Sequence, residues 1–204
     1  MRLSRDDTGP DADFYRVPRF VTHLDDAAIA AVSDLYDELG VDGDVLDLMS
    51  SWVSHLRRRP ARLTVLGLNA EELAANPMAD ERVVHDLNAD PALPFADASY
   101  DAVLCCVSID YLVDPVAVLA EVARVLRPGA PVVVTFSNRC FPTKAVHAWL
   151  ATDDAGRCAM VADHLAAAGG FAPARVERRT PAGRYRGDPV YAVTATRAPG
   201  PTRP

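Results

Sequence analysis

The sequence of 204 residues lacks several features that define large classes of protein. No run approaches the ~20 apolar residues that a membrane helix needs, and residues 1–13 are polar, without the apolar segment of a secretory signal. The four cysteines show neither C-x-x-C spacing nor a histidine-rich neighbourhood, which disfavours zinc or another metal. We therefore predict a cytoplasmic protein with no membrane partner, no bound metal and reduced thiols in its core.

A basic surface is also absent. The chain carries 28 Asp and Glu against 21 Lys and Arg, a formal net charge of −7. Nucleic acid binding depends on Lys and Arg that neutralise phosphates, so we predict a small-molecule or protein substrate and no nucleic acid partner. The composition, 50% hydrophobic, fits one globular domain, predicted over residues 13–197. The polar, Gly- and Pro-containing segments 1–12 and 198–204 are predicted to be disordered tails.

Apolar runs and helical stripes alternate along the chain. Short apolar runs typical of buried parallel strands occur at residues 44–48, 63–68, 82–85, 100–107, 131–137, 174–180 and 189–196. Helical periodicity with capping residues occurs at residues 26–39, 71–76, 115–127, 144–150 and 156–168. This alternation predicts an α/β fold with a doubly wound, mostly parallel seven-stranded sheet. The C-terminal strand is predicted to be antiparallel, because the link at 181–188 is too short for a crossover helix.

Three segments carry a resemblance to a known family. Residues 94–104 are PFADASYDAVL, around the start of the fourth strand; residues 121–129 are EVARVLRPG, before the fifth; and residues 45–48 are VLDL, in the first. In this order the chain resembles the class I S-adenosylmethionine-dependent methyltransferases, in particular the small-molecule branch, over about residues 40–197. The resemblance implies a Rossmann-like fold, S-adenosylmethionine as cofactor, and in-line transfer of its methyl group.

The loop after the first strand departs from that family. Where the family has Asp-Leu-Gly-x-Gly-x-Gly, residues 47–53 are DLMSSWV, with no glycine. Glycine there lets the backbone pass close to the cofactor, sometimes at positive φ. Two interpretations remain open: the pocket still binds the cofactor with help from Ser50 and Ser51, or the cofactor site is lost. We expect Trp52 to turn away from the pocket and to be buried between the first helix and the sheet.

The resemblance implies a cofactor site at the ends of the first four strands. Asn69 takes the place of the acidic residue that holds the ribose hydroxyls, and it also suits a helix N-cap. Asp86 corresponds to the acceptor from the adenine amino group, next to the backbone N–H of Leu87, although Asp also forms turns. The residues expected to bind the cofactor are Asp47, Met49, Ser50, Ser51, Asn69, Asp86, Leu87, Cys106 and Val107.

The substrate is expected at segments that vary between such enzymes. One precedes the first helix and either covers the pocket or serves as a packing strap. Two others follow the fourth and fifth strands, and basic side chains there either hold an anionic group or form a solvated loop. The residues expected to bind the substrate are Tyr15, Arg19, His23, Asp110, Tyr111, Asn138, Arg139 and Lys144. No catalytic residue is assigned; His23 and His147 are the candidates for a general base.

Together these features predict a methyltransferase that acts on a small molecule. The alternative is a methyltransferase-like protein without catalysis, acting as a binding or regulatory subunit, and the missing glycines favour it. A nicotinamide-dependent oxidoreductase of similar architecture is disfavoured, because G-x-G-x-x-G is absent after the first strand.

Overall fold

The computed structural model describes residues 2–180 and 186–199. Its strands are β1 (Asp44–Leu48), β2 (Arg62–Gly67), β3 (Glu81–Val84), β4 (Ala102–Cys106), β5 (Pro131–Phe136), β6 (Arg175–Arg178) and β7 (Tyr191–Thr196). They form one seven-stranded sheet of order β3-β2-β1-β4-β5-β7-β6. The pairs among β1 to β5 are parallel, whereas β7 is antiparallel to both of its neighbours. The predicted fold class is confirmed, including the antiparallel C-terminal strand.

The helices of the described residues cover both faces of this sheet. They are α1 (Asp11–Phe14), α2 (Asp26–Glu38), α3 (Ala70–Ala75), α4 (Pro115–Val125), α5 (His147–Leu150) and α6 (Asp154–Ala168), with a 3-10 turn at Ile109–Tyr111. Asp side chains cap α2 and α4 as predicted: Asp25 accepts from the Ala28 N–H and Asp114 from the Ala117 N–H. Within residues 2–180 and 186–199, no helix is long and apolar enough to cross a membrane.

Two apolar layers hold the helices against the sheet. On one face, α4 and α6 pack on the sheet with side chains such as Val122 and Leu165. On the other face, α2 buries Val32 and Leu35 against the strands. Each fully buried side chain of this kind contributes about 1.5–3 kcal/mol relative to an exposed one. The central strands β1, β2, β4 and β5 are buried on both faces, which explains why their sequences are apolar runs without alternation, whereas the edge strands β3 and β6 are mostly exposed.

The N-terminal segment is ordered where a disordered tail was predicted. Arg5 and Asp11 are buried and paired with each other, and the backbone of Arg5 bridges to Val146. The prediction for residues 1–12 is therefore wrong over its described part, because its charged side chains find buried partners instead of solvent. Of the predicted C-terminal tail, Ala198 donates its backbone N–H to Gly170, and residues 200–204 lie outside the described residues, as does Met1.

Candidate functional site

A cavity of about 260 Å³ opens at the carboxyl ends of β1 to β4. The strand order reverses between β1 and β4, and ligands bind at this switch point in open α/β sheets. The N-terminal segment and the segment after β5 close the cavity from the opposite side. The predicted site residues that line it are Tyr15, Arg19, His23, Asp47, Met49, Ser50, Ser51, Asn69, Asp86, Leu87, Cys106, Val107, Tyr111 and Arg139.

The glycine-free loop adopts a glycine-like backbone. Met49 has φ +53°, and Val107 on the facing loop has φ +47°, both in the left-handed region. This conformation costs about 1–2 kcal/mol for a residue with a Cβ atom, and more for a β-branched one such as Val107. The glycine that close packing requires is Gly67 of β2, where an added Cβ would lie 2.3 Å from the Ser50 carbonyl oxygen. The loop is also tied to β2 by the Ser50 N–H, which donates to Leu66 at 2.8 Å.

The hydroxyls of this loop donate hydrogen bonds to buried carboxylates. Ser50 Oγ donates to Asp47 Oδ2 at 2.6 Å, and Ser51 Oγ donates to Glu72. Asp47 is buried and forms no ion pair within the described residues. Burial raises the pKa of Asp47 to about 6, against the opposing effect of hydrogen bonds from Ser50 and Ser54. The cavity therefore contains a carboxyl group that lacks a counter-cation.

Asn69 acts as the N-cap of α3. Its Oδ1 accepts from the backbone N–H groups of Glu71 and Glu72, each at 3.0 Å, and its Nδ2 donates to the Tyr15 carbonyl at 2.8 Å. Both lone pairs of the amide oxygen are thereby used. Of the two predicted roles the structure has the helix cap, and the side chain keeps no free acceptor for ribose hydroxyls.

Asp86 forms a turn and still presents an acceptor. Its Oδ1 accepts from the N–H groups of Asn88 and Ala89, at 2.9 and 3.2 Å. Its second oxygen and the Leu87 N–H have no hydrogen-bond partner among the described residues. The turn interpretation is confirmed, and it leaves one acceptor on Asp86 and one donor on Leu87, two consecutive residues that line the cavity where an adenine edge was predicted.

Arg19 and His23 belong to an aromatic wall of the cavity. The guanidinium of Arg19 lies 4.7 Å from the ring centre of Phe14 and 5.5 Å from that of Phe141. His23 stands edge-on to Phe141 at 5.4 Å. Burial lowers the pKa of His23, and the Arg19 and Arg139 charges add to this effect while Glu72 opposes it. This direction favours the neutral imidazole over the charged one.

Four predicted site residues lie outside the cavity lining. Lys144 is fully buried and pairs with Asp7 and Asp11, so its charge is not available to a substrate. Asp110 is buried beneath the cavity wall, where burial raises its pKa to about 7. The other two are Asn138, which is exposed, and His147, which pairs with Asp6 at the surface. For Asp110, Asn138 and Lys144 the placement predicted from nearby strand ends is wrong, whereas His147, a candidate base only, is a surface histidine.

Trp52 also differs from its prediction. It turns away from the cavity as expected, but it remains partly exposed, with its ring edge-on to Phe20 at 6.4 Å. Its Nε1 donates to the Val21 carbonyl at 3.1 Å. The expected space between α2 and the sheet is filled by residues of α2 and by Leu56, so no room remains for an indole.

Several cavity residues were not predicted from the sequence. They are Asp11, Val21, Thr22, Val53, His55, Leu66, Gly67, Leu68, Glu72, His85, Asn88, Ser108, Leu112, Cys140 and Phe141. Phe141 had a usable signal, because it lies in the segment after β5 that was expected to face the site. His55 had none, since its left-handed backbone, φ +54°, appears only in the structure.

Fold and cavity together define a class I methyltransferase architecture. Residues 49–134 match the family model of a methyltransferase domain. The demethylmenaquinone methyltransferase of Mycobacterium sp. (strain KMS) is 51% identical over 55 residues, which are 25% of this chain and 24% of that relative. The matched segment thus spans about a quarter of the relative's length.

Solved structures show the same fold. A chain from the complex between the Haloferax volcanii Trm112 methyltransferase activator and a methyltransferase superposes with a TM-score of 0.66 at 19% identity, covering 87% of this chain and 92% of that one. Geranyl diphosphate C-methyltransferase from Streptomyces coelicolor A3(2), solved with Mg2+, geranyl diphosphate and S-adenosyl-L-homocysteine, gives 0.60 at 14% identity over 83% and 77% of the chains. The chain therefore has the fold of these solved methyltransferases, and the fold that the sequence resemblance implied is confirmed.

Proposed function

We propose that this protein transfers the methyl group of S-adenosylmethionine to a small-molecule acceptor. The observation that carries the proposal is the cavity at the strand switch point, which is walled by the N-terminal segment and the segment after β5. A walled cavity of about 260 Å³ suits a small acceptor better than a macromolecular surface. The cofactor would supply an electrophilic methyl group on a sulfonium, and such a transfer depends mainly on alignment and exclusion of water.

The residues present fit this cofactor at two places. The Asp47 carboxyl is buried without a cation, so an ammonium group would supply the missing charge. The second oxygen of Asp86 and the N–H of Leu87 form an acceptor–donor pair that suits an adenine edge. The ribose is the weaker part of the fit, because the Asn69 side chain is already saturated.

The chain's own residues would position the acceptor and keep water out. The N-terminal segment from Tyr15 to His23 covers the cavity and is fixed by the Arg19 N–H, which donates to Glu72 at 2.7 Å. Of the two candidate bases from the sequence, His23 lines the cavity and could take a proton from an acidic acceptor, whereas His147 lies at the surface. A cytoplasmic location and the lack of a nucleic acid partner, both expected from the sequence, remain predictions.

A second candidate is a binding or regulatory subunit without catalysis. Saturation of Ser50, Ser51 and Asn69 by internal hydrogen bonds favours it, because these side chains stand where the family contacts its cofactor. The two candidates differ in a measurable way, because a binding subunit transfers no labelled methyl group to any acceptor.

The test is a transfer assay with S-adenosylmethionine labelled in its methyl group. A cell extract is divided into dialysable and macromolecular fractions, and demethylmenaquinone and geranyl diphosphate are added as defined acceptors taken from the similar proteins. We expect label in the dialysable fraction, lost in Asp47→Asn and kept in Asp163→Asn, an exposed Asp on α6. Label found in protein or nucleic acid would contradict the small-molecule proposal, and no label at all would favour the binding subunit.

A further inference from the structure

Arg19 holds a buried guanidinium N–H that no group accepts. Its Nη2 donates to the Phe14 carbonyl at 2.9 Å, but its Nη1 is buried and has no hydrogen-bond partner among the described residues. The side chain lines the cavity. A buried donor left unpaired destabilises a protein, and a charged one does so more strongly. The site therefore lacks an acceptor at Arg19.

The neighbouring acidic side chains do not form an ion pair with the Arg19 guanidinium. Glu72 uses one carboxylate oxygen for the Arg19 backbone N–H and the other for Ser51 Oγ. Asp11 is occupied by donors from Arg5, Lys144 and Asn88. Arg19 consequently forms no carboxylate ion pair within residues 2–180 and 186–199.

The surroundings of Arg19 select for the sign and shape of a ligand. Aromatic rings of Phe14, Tyr15 and Phe141 lie within 5.7 Å of the guanidinium carbon, so the place that a cationic ligand would take among these rings is already filled. Arg139 at the cavity wall adds a second positive charge, which forms a long ion pair with Asp188 at 4.0 Å. Flat apolar surface next to a guanidinium without a carboxylate partner, that of Arg19, suits an aromatic or unsaturated anion.

We propose that Arg19 anchors a carboxylate-type anionic oxygen of the ligand in this cavity, with the flat apolar part of that ligand against Phe141. Identification of this ligand as the methyl acceptor rests on the proposed function; the anion site itself does not. Arg19 is a binding residue in this account. Arg139, which is mostly exposed, contributes long-range attraction that salt screens.

The test uses benzoate as the probe and benzamide as its neutral isostere. Binding of each to the full chain is measured by calorimetry, with and without saturating S-adenosyl-L-homocysteine. We expect benzoate to bind at about 1 mM, as small fragments with one anchoring group do, and benzamide to bind at least about tenfold more weakly. Arg19→Gln should lose this preference, whereas Arg19→Lys, which keeps the charge without the planar fork, should keep part of it. Arg16→Gln is the matched control, an exposed arginine on the same segment, and should behave as the wild type.

The outcomes separate the anion site from the proposed function. Equal affinity for benzoate and benzamide in the wild-type protein overturns the anion site, whether or not S-adenosyl-L-homocysteine binds. Benzoate binding that depends on Arg19 in a protein without affinity for S-adenosyl-L-homocysteine supports the anion site and contradicts the methyltransferase proposal. Should Arg19→Gln fail to fold, the wild-type preference and the Arg19→Lys variant still decide the question.

Discussion

Lys144 Nζ lies 2.9 Å from Asp11 Oδ1, and both side chains are almost fully buried. Asp11 also accepts from Arg5 and from Asn88 Nδ2, the latter at 2.7 Å, so its two oxygens receive several donors. Lys144 is the only lysine in the sequence, and Asp7 is its second carboxylate partner. This network joins the N-terminal segment to the segment after β5, and these are the two segments that close the cavity.

Removing Asp11 should therefore loosen the cavity wall. In Asp11→Ala, buried Arg5 loses its carboxylate partner and Lys144 keeps only Asp7 as a carboxylate partner, which costs about 3–5 kcal/mol. The measurement is urea unfolding at pH 7. Asp13→Ala, an exposed change in the same short helix, should shift the free energy of unfolding by less than about 0.5 kcal/mol. Equal small losses in both variants would mean that the network does not hold the segment.

The network also predicts that the folded protein loses stability at acid pH. Burial alone would raise the pKa of Asp11, but hydrogen bonds from Arg5, Asn88 and Lys144 outweigh it, so the pKa lies below its usual 3.8. Its contribution to stability is thus complete above pH 3.8 and is lost as the pH falls through the lowered value. Wild-type protein should lose more stability than Asp11→Ala on going from pH 5 to pH 3.

Asp110 should have the opposite pH dependence. Its side chain is buried with one oxygen unpaired, and burial raises its pKa from 3.8 to about 7. The folded state holds this proton more tightly than the unfolded state, so the stability contributed by Asp110 falls as the pH rises from 3.8 towards 7. Relative to wild type, Asp110→Asn should gain about 2 kcal/mol between pH 5 and pH 8. Denaturant unfolding at both pH values checks this, and a constant difference would show that Asp110 does not titrate in that range.

Replacement of Met49 by glycine should destabilise the protein less than replacement by alanine. At ordinary backbone angles, alanine is the more stable of the two by about 0.5–1 kcal/mol. At φ +53° the order should reverse, with Met49→Gly more stable than Met49→Ala by about 1 kcal/mol, because both variants lose the same packing and only alanine keeps the strain. Thermal unfolding of the pair measures the difference. A Met49→Ala variant more stable than Met49→Gly would show that residue 49 does not have a left-handed backbone conformation.

Asp86→Asn should separate the turn from ligand binding. The amide oxygen of Asn keeps the cap on Asn88 and Ala89, so stability should stay within about 0.5 kcal/mol. The loss of the charged acceptor should weaken the binding of S-adenosyl-L-homocysteine by about 1.5–3 kcal/mol. Asp90→Asn, in the same loop but outside the cavity lining, is the control. Unchanged affinity in Asp86→Asn would leave Asp86 as a turn residue only.

The fold was predictable because local patterns determine it. Runs such as Val45–Leu48 are typical of strands inside a covered sheet, and Asp114 followed by Pro115 is typical of a helix start. Asp47 and Asp86 were placed correctly at the cavity, because they directly follow strands whose ends meet there. Lys144 and Asp110 follow strands too, but their final positions depend on partners and packing distant in the sequence, which no local pattern encodes.

The most direct test of the account is calorimetric titration of the folded protein with S-adenosyl-L-homocysteine, with NAD titrated in parallel. We predict saturable binding of S-adenosyl-L-homocysteine that weakens in Asp47→Asn, and no binding of NAD. A folded protein that binds no S-adenosyl-L-homocysteine at about 1 mM would contradict this prediction, because the Asp47 and Asp86 groups would then have no cofactor to hold.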